Sequence, residues 1–145
     1  MSILRTLFAL GGLLSLFGCA ASGPAATNIE LAIAGSADMN GGAPAKVKVY
    51  YLASASAFRT SDFFAVFNSP QSALGADLIA VDEFQLAPGR TVTNSRSMAQ
   101  APAAIGVVAA FRDIDGAKFL GVRPLTPNAS NTVRIAVSGN SVSIR

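Results

Sequence analysis

The chain contains no histidine, no tryptophan and a single cysteine among its 145 residues. Without histidine there is no Ser-His or Cys-His nucleophile pair, no imidazole acid-base and no histidine metal ligand. One cysteine allows neither an internal disulfide nor a thiolate zinc cage. Charge is also scarce, at 13% of residues, and apart from Arg5 the basic residues behind the net charge of +3 are scattered from Lys46 to Arg145 rather than gathered into a patch. That distribution argues against a nucleic-acid partner. Glycines never fall in a phosphate-cradling pattern. After residue 18 no stretch approaches the roughly 18 or more apolar residues that a spanning helix needs. The chemistry of an enzyme is nearly absent, and no metal or soluble cofactor is expected.

What is abundant is apolar, at 51%, with a positive mean hydropathy of +0.46. Part of that excess sits at the N-terminus. Arg5 gives a short basic region, Leu7–Phe17 an apolar run broken only by Gly11, Gly12 and Ser15, and Gly18 a small residue before Cys19. This is the anatomy of a secretory signal peptide over residues 1–18, too short for a comfortable membrane span. Leu16-Phe17-Gly18-Cys19 resembles the bacterial lipobox, in which the cysteine is acylated and becomes the new N-terminus. Each buried methylene contributes roughly 0.8 kcal/mol, so the two or three chains of such a lipoprotein anchor it firmly. Ala20 rather than Asp follows the cysteine, which points to the outer membrane. Residues 19–27, rich in Ala, Ser, Gly and Pro, read as the lipidated end and a flexible tether.

The remainder, residues 28–145, reads as one domain dominated by period-two alternation. Ile29, Leu31 and Ile33 oppose Asn28, Glu30 and Ala32; Val47, Val49 and Tyr51 oppose Lys46, Lys48 and Tyr50. Further strands are expected at Leu78–Leu86, Arg90–Met98, Ala104–Arg112, Lys118–Arg123, Thr132–Ser138 and Ser141–Arg145. Ile105–Phe111 is apolar on both faces, as a central strand would be. Pro88-Gly89 suits a type II turn, while Asp115-Gly116 and Gly139-Asn140 signal hairpins. About eight short strands at this spacing predict an all-β, two-layer β-sandwich.

Between strands two and three, at about 54–75, the period changes. Phe63, Val66 and Phe67 recur at i, i+3 and i+4, with Thr60 or Ser61 as cap and Asp62 set against the helix dipole. Ser69-Pro70 reads as N-cap and first residue of a second short helix, with Gly75 as its stop. The phenylalanines are expected to be local core rather than a partner face.

Three acidic or polar motifs are weak. Asp113-Ile114-Asp115-Gly116 opens like a calcium loop, but its twelfth position is Pro124, so it reads as a charged turn. Asp82 and Glu83 are strand neighbours and face opposite sides. Asn128-Ala129-Ser130 fits a glycosylation sequon but reads as a plain turn. The loop Ser36–Ala45 is too long for a tight hairpin, and Met39 is expected to be exposed at its tip.

From Lys46 to Leu125 an ordered set of residues becomes recognisable. It runs through Val47-Lys48-Val49-Tyr50-Tyr51-Leu52, Phe58, Asp62-Phe63, Leu74-Gly75-Ala76-Asp77-Leu78 and Pro88-Gly89 to Gly106-Val107-Val108-Ala109-Ala110-Phe111-Arg112-Asp113. With the lipobox, this resembles the type VI secretion outer-membrane lipoprotein family (TssJ/VasD/SciN). The resemblance implies a transthyretin-like β-sandwich, anchored at the periplasmic face of the outer membrane through Cys19. It implies as partner the periplasmic C-terminal domain of the IcmF-like inner-membrane protein TssM. It also implies that the loop between the first two strands binds that partner, here Ala37, Asp38, Met39, Asn40, Gly41, Gly42, Ala43 and Pro44. Shortening Ala37–Ala43 is then expected to weaken binding and leave the sandwich folded. The family often has Trp-Arg where Phe119-Leu120 stands, and Asn-Pro where this loop has the looser Asn40-Gly41-Gly42. An alternative reading is a periplasmic lipoprotein that carries a small apolar ligand in a cavity, or inhibits an envelope enzyme through a protruding charged loop.

Overall fold

The computed structural model describes residues 23–145. The expected signal peptide and Cys19 lie outside them. Eight strands form two four-stranded sheets. The first holds β1 (Thr27–Gly35), β4 (Thr91–Met98), β7 (Ser130–Ser138) and β8 (Ser141–Ile144), in the order β4-β1-β7-β8. The second holds β2 (Ala45–Leu52), β3 (Leu78–Leu86), β5 (Ala104–Ala109) and β6 (Leu120–Pro124), in the order β3-β2-β5-β6. All pairings are antiparallel except β1 with β7. β1 begins at Thr27, which the sequence had suggested as the end of the tether.

The alternation read from the sequence places the core. Ile29, Leu31 and Ile33 from β1, Val133, Ile135 and Val137 from β7, and Val47, Val49 and Tyr51 from β2 fill the space between the sheets. The even positions of β2 do something else. Tyr50 and Leu52 face outward into a second cluster, with Ala104 and Val108 of β5 and with Phe58, Val66 and Leu74 of the helical insertion. β5 is buried along its whole length because it is covered on both faces.

The insertion consists of three short helices, α1 (Ser56–Arg59), α2 (Phe63–Asn68) and α3 (Pro70–Leu74), then a 3₁₀ turn at Gly75–Asp77. Pro70 opens α3 and Gly75 stops it with φ of 55°, as expected. The cap of α2 is a correction. Asp62 itself is the N-cap, its carboxylate accepting from Ala65 N at 3.2 Å. Ser61 and Thr60 instead donate to Ala57 O and close α1. Asp62 wins because its backbone is extended, the geometry that aims a side-chain oxygen at the first turn.

Close packing of this layer requires a glycine. A Cβ at Gly106 would overlap the ring of Phe58, which lies directly on the strand and tilts against Tyr50 at 5.1 Å between ring centroids. Tyr50 Oη donates to Val66 O, and Lys48 Nζ donates to Phe67 O while sitting over the Phe67 ring. Phe63 and Phe67 are half-buried and stacked, as local core; Phe64 alone is largely exposed, at 60%.

Candidate functional site

The connection between β1 and β2 is folded, not floppy. Its centre is a short 3₁₀-like turn, Met39–Gly42, in which Asn40, Gly41 and Gly42 all have positive φ. Met39 does not stand exposed at the tip, as the sequence had suggested. It is fully buried in the main core and lies against Gly35, where any Cβ would collide with its sulfur. An unbranched thioether fits the irregular space where the sandwich ends, which explains why burial wins.

Asn40 is the fixing point. It is 4% exposed and bonded on three sides. Its backbone N donates to Gly139 O at 2.8 Å, its Nδ2 to Pro44 O at 2.9 Å, and its Oδ1 accepts from Arg112 N at 2.7 Å. The loop is thus tied to the β7–β8 turn and to the segment after β5. Ser36 adds a bond from its N to Val137 O, and its O accepts from Gly89 N. Pro88-Gly89 forms the expected turn, with Arg90 N bonded to Ala87 O and Gly89 at φ of 71°. Asparagine is one of few residues that adopt the left-handed region readily. The sequence signal for this role is Asn followed by two glycines, a pattern that by itself implies looseness.

Of the eight loop residues, Met39, Asn40 and Ala43 are buried, while Ala37, Asp38, Gly41, Gly42 and Pro44 are exposed. The sequence therefore found the segment but not its division into inward and outward residues. Removing Ala37–Ala43 would take Met39 out of the core and Asn40 out of three bonds, so a point variant of the exposed residues separates binding from folding better than shortening does. Asp38 gives the surface a negative charge. The Ser36 hydroxyl donates to its carboxylate and holds its pKa below the usual carboxylate value.

The weaker motifs resolve simply. Asp113–Gly116 forms a turn, with Ala117 N bonded to Ile114 O. Asp82 and Glu83 do face opposite ways. Asp82 pairs with Arg96 and accepts from Tyr51 Oη, while Glu83 pairs with Lys46 at 2.8 Å. Asn128 has φ of 56° in a turn and donates from Nδ2 to Ala25 O. Among the described residues no cluster of His, Cys, Asp or Glu could hold a metal, and no helix is long and apolar enough to cross a membrane.

The sequence model of the T6SS-SciN family, described as "Type VI secretion lipoprotein, VasD, EvfM, TssJ", matches residues 27–140. The chain is similar to the crystal structure of the type VI lipoprotein TssJ1 from Pseudomonas aeruginosa, with 28% identity and a TM-score of 0.77, over 83% of this chain and 95% of that one. It is similar to a chain of a structure described as "Type VI membrane complex", with 26% identity and a TM-score of 0.70, over 81% of this chain and 97% of that one. A third structure, described as the TssM C-terminal domain from EAEC, contains a chain of the same fold, with 24% identity and a TM-score of 0.67, over 81% of this chain and 97% of that one. No curated protein matches the chain.

Proposed function

This chain belongs to the type VI secretion lipoprotein family, and from that premise we propose that it docks the periplasmic domain of TssM to the outer membrane. Cys19 carries the acyl chains, the sandwich is a rigid spacer, and the exposed residues of the β1–β2 loop meet the partner. The role is assembly rather than catalysis.

The observation that carries this reading is the polarity of β1. Its nine residues span about 30 Å at about 3.3 Å each. Thr27, which follows the lipidated segment, is at one end, and the docking loop is at the other. A protein anchored through residues before Thr27 presents that loop away from its membrane. The loop is also pre-ordered by Asn40, so its glycines lose little freedom on docking. The occurrence of the same fold in structures described by a type VI membrane complex and by TssM supports the choice of partner. The carrier alternative needs a hollow between the sheets, where Ile29, Ile33, Val49 and Ile135 instead pack together.

The test uses the full chain in native membranes. Cys19→Ser is expected to release the protein from the outer-membrane fraction. Asp38→Arg combined with Pro44→Glu is expected to weaken capture of the TssM periplasmic domain on the order of tenfold or more. Unchanged capture by that double variant, with the fold intact, removes the loop from the interface.

A further inference from the structure

The two sides of the sandwich are closed differently. On one side, the edge strands β3 and β4 are bridged by the Asp82–Arg96 ion pair, with the Arg96 guanidinium over the Tyr51 ring at 4.9 Å. Inward charges of this kind block an edge against further strand pairing. On the other side, β6 and β8 are the free edges, and they are zipped only at one end. Lys118 pairs with Ser141 as an isolated bridge, Lys118 N donates to Asn140 O, and Val142 N donates to Lys118 O at 2.8 Å. Beyond this clasp the Ile144 side chain lies against Gly121, and an open groove of about 400 Å³ remains along the two edges.

The groove is walled in part by unpaired backbone, the N–H of Val142 being already taken by Lys118 O. Ala109 N bonds Phe119 O and Leu125 N bonds Ala103 O, which sets the odd-numbered residues of β6 in the hydrogen-bonded pairs with β5. Leu120 and Val122 therefore turn their N–H and C=O away from β5. On β8, Arg145 exchanges both bonds with Arg134, so Val142 and Ile144 are the residues that face away from β7. All four line the groove. Its charged lining residues are Arg59 and Lys118, with no carboxylate, and among the described residues neither forms an ion pair.

We propose that this groove is a strand-addition site for an extended, acidic segment of a partner protein, separate from the β1–β2 loop. The free edges supply main-chain hydrogen bonds, the side chains of Leu120, Val122 and Ile144 receive alternate apolar residues, and Arg59 and Lys118 select for carboxylates. The clasp at Lys118–Val142 fixes where the added segment ends. The opposite side cannot do this, because its own ion pair occupies the gap.

The experiment records amide hydrogen exchange in the full chain with a decapeptide of alternating Glu and Val, and with its Lys/Val counterpart. The Glu/Val peptide is expected to slow exchange at Leu120, Val122 and Ile144, and the Lys/Val peptide to leave them unchanged. Replacing Arg59 and Lys118 together by Gln is expected to weaken Glu/Val binding on the order of three- to tenfold, the ratio for two exposed ion pairs. Replacing both by Glu inverts the preference. Equal protection by the two peptides, protection at the β3 and β4 edges instead, or an effect reproduced by free glutamate without amide protection overturns the proposal. Far-ultraviolet circular dichroism checks that each variant is folded; the Gln pair, which keeps polar side chains at both positions, stands in if the Glu pair is not.

Discussion

Single residues decide how the end of the sandwich is held. Asn40 combines a left-handed backbone with three hydrogen bonds, and these two roles are separable by substitution. Asn40→Ala is expected to lose about 2–4 kcal/mol, from unpaired buried groups and the cost of alanine at positive φ. Asn40→Gly relieves the second cost but not the first, and urea denaturation should rank it between alanine and wild type. At the surface, Glu83 offers a check on pH. Its bond from Lys46 holds its pKa below 4.5, the usual value, with Lys48 adding to the effect. A carboxylate depressed in the folded state stabilises above its unfolded pKa, and that stabilisation is lost as pH falls through the folded value. The difference in unfolding midpoint between wild type and Glu83→Gln should therefore be present at neutral pH and vanish in acid below the folded pKa.

At the scale of elements, the helical insertion is a lid on the outer face of β2 and β5. None of its helices exceeds six residues, and lengths that short are not stable alone. Their order comes from Phe58, Val66 and Leu74 packing onto Tyr50, Leu52 and Val108. Phe58→Ala is expected to cost about 3–5 kcal/mol. Gly106→Ala acts on the same contact from the strand side, by displacing the Phe58 ring, at about 1–3 kcal/mol. Because both act through one contact, the double variant should cost less than the sum, which a thermodynamic cycle measures. Asp62→Ala removes only the cap of α2 and is expected to cost about 1 kcal/mol.

For the whole molecule, the arrangement of the two ends matters more than any one contact. The N-terminal segment enters at Thr27 and the β1–β2 loop lies beyond Gly35, so in the proposed role the sandwich sets the distance between membrane and partner. Lengthening the segment before Thr27 with a flexible Gly-Ser stretch should leave affinity for the partner in solution unchanged. It should weaken assembly of the complex at the envelope, read by co-isolation with the outer-membrane fraction, because a longer flexible chain lowers the effective concentration of the loop at its partner. If assembly is indifferent to that length, the spacer role is wrong.

Alternation alone determined the strands, which residues of β1 and β2 share a face, and the break to helix before Leu78. Those are local properties, since a period of two or 3.6 is fixed by backbone geometry. Pro70, Gly75 and Pro88-Gly89 marked stops and turns for the same reason, each through its own φ restriction. What the sequence left undecided was how separate segments meet. That β1 runs parallel to β7, that Met39 turns into the core, that Asn40 reaches Arg112 and Gly139, and that one side of the sandwich is sealed by Asp82 and Arg96 while the other stays open all depend on residues far apart in the chain. Such contacts are chosen by packing and hydrogen-bond satisfaction in three dimensions, and no local pattern encodes them.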